Sequence, residues 1–104
     1  MGWPVRLVVV HGPSMVPALR HGDRLLVWLR TPRRTPPIGR IVVVSLPDRP
    51  RSVKRLVASD DGGRLWVEGD NEFGSTDSRQ LGWLASSQLD GVVIGRVWPP
   101  RRPR

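Results

Sequence analysis

Arg51-Ser52-Val53-Lys54-Arg55-Leu56-Val57-Ala58-Ser59-Asp60-Asp61-Gly62-Gly63-Arg64-Leu65-Trp66-Val67-Glu68 reads as strand, turn and strand. Branched and apolar residues fill both arms, and the Asp60–Gly63 cluster is a hairpin signal. If 51–58 is extended, Ser52, Lys54, Leu56 and Ala58 share one face, and Val53, Arg55 and Val57 share the other. Moving toward the N-terminus, Arg40–Leu46 is a more apolar strand, expected to be buried on both faces. Before it, Arg24–Leu29 is launched by the Gly22-Asp23 turn, and Val5–Val10 is a β-branched run. Toward the C-terminus, Gly91–Trp98 is the last strand. The connections are Gly12–Leu19, Thr31–Pro37 with its three prolines, Pro47–Pro50 and the polar loop Gly69–Ser78. Leu81–Leu89 reads as a loop or one short helical turn. Six short strands and no firm helix make the chain all-β, a barrel or a coiled sheet.

With 104 residues the chain is long enough for one domain with a modest core. We assign that domain to residues 1–98 and read 99–104 as a basic, disordered Pro/Arg tail. The 11 glycines and 11 prolines suit turns better than helix interiors. The absence of cysteine excludes disulfides, thiolate metal sites and a Cys nucleophile. Two histidines, His11 and His21, are too few for a metal site, and no cofactor is expected. The net charge of +8 comes from sixteen arginines and one lysine against nine acids. A GC-rich coding preference accounts for that bias; a polyanion partner is the alternative. The arginines are scattered and form no nucleic-acid motif, so no nucleic-acid partner is expected. Arg30–Arg34 and Arg101–Arg104 read as a solvated loop and a frayed end. No stretch reaches the roughly 20 apolar residues that span a bilayer, and no secretory layout precedes the first strand. The expectation is a soluble, cytoplasmic chain, or a piece of a longer one, with peripheral membrane contact of the tail left open.

Three polar clusters remain once the strands are assigned: the Ser14 loop, Lys54, and the loop from Gly69 to Arg79. Pro13 and Pro17 stiffen the chain on both sides of Ser14. A serine hydroxyl is a weak nucleophile until a neighbour takes its proton. A guanidinium cannot take it, but a desolvated lysine amine can, which singles out Lys54 among seventeen basic side chains. Leu56 and Ala58 would desolvate that amine, and Arg55 would help push its proton off. Alone, each residue has an ordinary explanation, a turn serine and a surface lysine. His11 stands beside the loop, but no Asp is placed to complete a Ser-His triad. Asp60-Asp61 is a turn, not a metal site. Trp28, Trp66 and Trp83 are expected in the core, and Trp3 and Trp98 nearer the surface.

Taken together, the three clusters resemble the type I signal peptidase family. Gly12-Pro13-Ser14-Met15-Val16-Pro17-Ala18-Leu19 leading to Gly22-Asp23 is similar to its nucleophile box, with Ala18 in place of the usual threonine. Val53-Lys54-Arg55 is similar to its Lys-Arg box. Gly69-Asp70-Asn71, Ser75, Asp77-Ser78-Arg79 and Gly82 are similar to its third box. The resemblance implies a coiled, mostly antiparallel β-sheet or partly open barrel with little helix. It implies Ser14 as nucleophile, Lys54 as general base, Ser75 orienting the amine, and Asp77 with Arg79 as a supporting pair. The Ser14 N–H would be one oxyanion donor. Gly12 stands where many bacterial members carry the serine that completes the oxyanion hole. Met15 and Pro17 are candidate groove residues, Met15 alternatively packing under the loop. The substrate would be a precursor protein bound as an added strand. The short form resembles the branch that trims the leader of a nickel superoxide dismutase precursor. A self-cleaving repressor-type protease and a non-enzymatic polyanion-binding module are the other readings.

Overall fold

The computed structural model describes residues 4–29 and 35–99. Six strands form one sheet: β1 (Val5–Val9), β2 (Arg24–Trp28), β3 (Ile41–Val44), β4 (Ser52–Ser59), β5 (Leu65–Glu68) and β6 (Leu89–Trp98). Their order is β1-β2-β6-β3-β4-β5, with antiparallel pairing throughout. The sheet is not closed, and β1 and β5 lie at its two ends. Among the described residues, helix is confined to α1 (Ser78–Leu81) and two single 3-10 turns, Glu72–Gly74 and Ser86–Gln88. The segment Leu81–Leu89 thus carries one short helical turn, as one of its two readings had it. Arg30–Arg34, Trp3 and the tail beyond Pro99 lie outside the described residues.

The β4–β5 hairpin forms because Asp60 closes it twice. Its carbonyl accepts from the Gly63 N–H at 3.1 Å, and its carboxylate accepts from the Arg64 N–H at 2.8 Å and from Arg64 Nε at 2.6 Å. Register then distributes the apolar residues. β3 is buried on both faces, as expected: Val42 and Val44 join Leu46, Leu56, Leu65, Val67, Leu84 and Leu89 in one core cluster. Val43 joins Val10, Met15, Leu19, Leu25, Val27 and Val53 in a second.

Two expectations change. Leu56 faces Val67, but the register slips before Ala58, which faces Trp66 instead. A β-bulge at Val57 breaks the alternation, so Ala58 leaves the face of Lys54 and Leu56. Trp28 and Trp83 are both 40% exposed and are not core residues. In β2 the buried residues are Leu25 and Val27, so alternation turns Trp28 outward. Trp83 packs edge-on against Trp66 with 5.4 Å between ring centroids, and Arg64 stacks over its outer side. Leu84 extends the cover of the β5 edge by exchanging two backbone hydrogen bonds with Leu65, at 2.8 and 2.9 Å.

The coil of the sheet positions the site. β1 and β4 are far apart in strand order, yet Val8–Val10 and Arg49–Lys54 line the same cleft. The loop after β1 is thereby brought onto β4.

Candidate active site

Lys54 lies on β4 opposite Val42 and is only 5% exposed. Its Nζ donates to Ser75 Oγ at 2.9 Å, and Ser75 Oγ donates to Asp77 Oδ2 at 2.6 Å. Burial pushes the Lys54 amine below the ordinary lysine value. Asp77 pulls the other way, and the positive charges of Arg49 and Arg79 add to the lowering. Arg55 is not among these causes. Its guanidinium is held by Asp70 through two hydrogen bonds of 2.8 Å and donates to the Gly39 carbonyl.

Asp77 is fully buried and collects donors on both oxygens. Oδ2 accepts from Ser75, from the Gly69 N–H at 2.8 Å and from Arg79 Nη2 at 2.7 Å. Oδ1 accepts from the Arg79 N–H and from Arg79 Nε, each at 3.0 Å. Burial opposes ionisation here, but the hydrogen bonds from Arg79, Ser75 and Gly69 outweigh it. The carboxyl is held well below the usual carboxylate range. The same residue caps α1 in a reciprocal box with Gln80, whose Oε1 accepts the Asp77 N–H at 2.9 Å. A short helix and the lysine's support are thus built on one side chain.

The Ser14 loop is closed at its neck. The Val10 N–H donates to the Asp23 carbonyl and the Gly22 N–H to the Val10 carbonyl, each at 2.8 Å. Met15 is fully buried beneath the loop with Leu19 and Val10. Of its two candidate places it therefore takes the packing one and does not line the cleft. Pro17 is exposed and lies outside the cleft that holds Ser14. From the far side the third polar loop clamps the serine. The Asn71 N–H donates to the Ser14 carbonyl at 2.9 Å, and Asn71 Nδ2 donates to the Pro13 carbonyl at 3.2 Å. Gly69 lies so close that a Cβ there would stand 2.3 Å from Ser75 Oγ and 2.6 Å from the Ser14 carbonyl oxygen.

Ser14, Gly12 and Lys54 share a cleft of about 260 Å³. Among the described residues no hydrogen bond joins Ser14 to Lys54; the lysine's single bond is to Ser75. Gly12, with φ of +80°, donates its N–H to His21 Nδ1 at 3.0 Å, so that donor is engaged inside the loop. His11 lines the cleft and packs edge-on against His21, 5.6 Å between centroids. Among the described residues no cluster of three His, Asp or Glu side chains is arranged to hold a metal. Asn71 and Arg49 gained no role from sequence reasoning. Asn71 grips Pro13 across a separation of 58 residues, which no local pattern encodes. Arg49 sits in a Pro-Asp-Arg-Pro turn that reads only as a connection.

The sequence model of the Peptidase S24-like family matches residues 4–81. The chain is 32% identical to the mitochondrial ATP-independent inner membrane protease subunit 1a of Arabidopsis thaliana, over 88% of this chain and 69% of that protein. It is 32% identical to the mitochondrial inner membrane protease subunit 1 of Xenopus tropicalis, over 89% and 69%. It is also 32% identical to the signal peptidase complex catalytic subunit SEC11 of Metarhizium robertsii, over 88% of this chain and 58% of that protein. No helix among the described residues is long and apolar enough to cross a membrane.

Proposed function

This chain belongs to the Peptidase S24-like family and is a signal-peptidase-like protease, and we propose on that premise that it cuts with a Ser14–Lys54 dyad. The observation that carries the dyad is the chain of hydrogen bonds Lys54–Ser75–Asp77, whose lysine lines the same cleft as Ser14. With one N–H given to Ser75, the neutral amine keeps its lone pair for the Ser14 proton. Ser14 Oγ attacks the scissile carbonyl carbon as Lys54 Nζ takes that proton, and the Ser14 N–H meets the oxyanion. Collapse breaks the C–N bond, and the Lys54 ammonium protonates the departing amine. Water, deprotonated by the same amine, then attacks the acyl carbon; the C–Oγ bond breaks, the Lys54 ammonium returns its proton to Ser14 Oγ, and the acid is released.

The substrate in this reading is a precursor protein that loses an N-terminal leader, bound as an extended strand. The narrower assignment is the nickel superoxide dismutase precursor, acting in the cytoplasm. It rests on the likeness to that branch stated in the sequence analysis and on no residue that reads the substrate, whereas the relatives' names put two of them at the mitochondrial inner membrane.

The test is cleavage by purified protein, with N-terminal sequencing of products. Ser14→Ala and Lys54→Ala should each lower kcat/KM by about a million-fold with unchanged circular dichroism. Lys54→Arg should be equally inactive, because a guanidinium cannot accept the proton; an active Lys54→Arg protein sinks the dyad. Co-expression with the dismutase precursor tests the narrower substrate, and an uncut precursor rejects it. Clipping of the chain at one internal site in intact-mass spectra would favour the self-cleaving reading.

A further inference from the structure

The cleft at Ser14 carries charge that the proposed chemistry leaves unused. Its walls hold Arg49, Arg51 and Lys54, together with His11, and no Asp or Glu. Arg51 leans outward, its Nε 3.6 Å from Asp90 Oδ2. Arg49 is exposed and, among the described residues, has neither an ion-pair nor a hydrogen-bond partner. This lining is not a plain copy of the chain's net charge of +8. Next to the Ser14–Asn71 contact lies a second cleft of about 500 Å³, where Glu68, Asp70 and Glu72 face Arg55 and Arg79. In that cleft both arginines are held, Arg55 by Asp70 and Arg79 by Asp77. Of the guanidiniums that line these two clefts, the one without a partner among the described residues is Arg49, in the Ser14 cleft.

We propose that the Ser14 cleft selects substrates bearing an acidic side chain close to the scissile bond, and that Arg49 is the residue that pairs with it. The inference deepens the proteolytic reading and rests on it. A peptide laid along Val8–Val10 and past Ser14 brings its side chains alongside Arg49 and Arg51. A carboxylate there gains an ion pair with a planar donor fork, whereas a substrate lysine meets like charge with no acid among the cleft's lining residues. The same guanidinium adds to the lowering of the Lys54 amine, so the residue that selects substrate also favours the neutral base.

The experiment is digestion of a proteome-derived peptide library by the wild type, Arg49→Gln and Arg49→Glu, with cut sites read by mass spectrometry. Asp and Glu should be enriched roughly three- to five-fold near the cut by the wild type, the range of a partly exposed ion pair. The enrichment should vanish in Arg49→Gln and turn to Lys and Arg in Arg49→Glu. Arg49→Gln should also move the ascending limb of the pH–rate profile upward, which a merely structural role would not. A wild-type cut-site profile without acidic enrichment overturns the proposal. If the wild type cuts nothing, the proteolytic reading fails, and binding decides the subsite. Calorimetric titration of Ser14→Ala with two peptides differing only as Asp against Asn should then favour Asp, and the double variant Ser14→Ala/Arg49→Glu should lose that preference. Equal binding of the two peptides by Ser14→Ala overturns it.

Discussion

At the scale of single residues, two burials act with opposite signs on two charges. Desolvation lowers the Lys54 amine, so the form that can accept a proton is populated at lower pH than in an ordinary lysine. The activity should therefore rise with pH along a limb below the ordinary lysine value of about 10.4, and Ser75→Ala should cut kcat by roughly tenfold or more. A pH–rate profile with no ascending limb speaks against Lys54 as the base. Asp77 is buried too, but its donors win and hold it ionised. A carboxyl depressed in the fold contributes stability above its unfolded value, near 3.9, and loses it as pH falls through the folded value. Denaturant melts should be flat with respect to Asp77 from neutral pH down to about 5 and fall only below that. Arg79→Ala strands the buried carboxylate. It should cost about 2–3 kcal/mol in urea unfolding, at the low end for a buried pair because Arg79 is partly in water.

At the scale of elements, the site is two loops held on a strand. The Ser14 loop is fastened by its own neck, by His21 on Gly12 and by Asn71 on Pro13 and Ser14. Removing the Asn71 side chain deletes one of these bonds, so Asn71→Ala should lower kcat with a stability loss of only about 1 kcal/mol. Gly69→Ala is harsher. Its methyl would overlap both Ser75 Oγ and the Ser14 backbone, and backbone cannot swing away. The expected result is a folded protein, destabilised by about 1–3 kcal/mol, with activity near background. Wild-type kcat/KM for Gly69→Ala would refute the contact between these loops. The β-bulge at Val57 belongs to this scale as well. It turns Ala58 off the Lys54 face, so the amine's dry surroundings come from Leu56 and its neighbours without Ala58.

At the scale of the whole molecule, two apolar clusters lie on opposite sides of β3, and the Ser14 loop is seated on one of them through Met15. Met15→Ala should thus do two things at once. It should cost about 2–5 kcal/mol for the cavity and also slow cleavage, because the loop loses its anchor. A variant that lost stability but kept full kcat would detach the loop's order from the core. Strands were readable because their signal is local: branched residues between Gly, Pro and Asp turns decide extended backbone within a few residues. The exposure of Trp28, on a strand, and Trp83, in a connection, was not, because apolarity predicts burial only where something covers the side chain, and local composition does not say what covers it.

By itself the amino-acid order determined an all-β chain, its six strands to within two residues, and three motifs whose residue types suit a serine and a lysine amine. Residue identity sets backbone preference and chemical capability, and both travel with the chain. Only the tertiary structure decided which of those capabilities meet. The coil of the sheet set Lys54 in the Ser14 cleft and against Ser75, engaged the Gly12 N–H with His21, buried Met15, and left Arg49 without a partner among the described residues. Those outcomes depend on contacts between residues tens of positions apart, which exist only after the strands have taken their order.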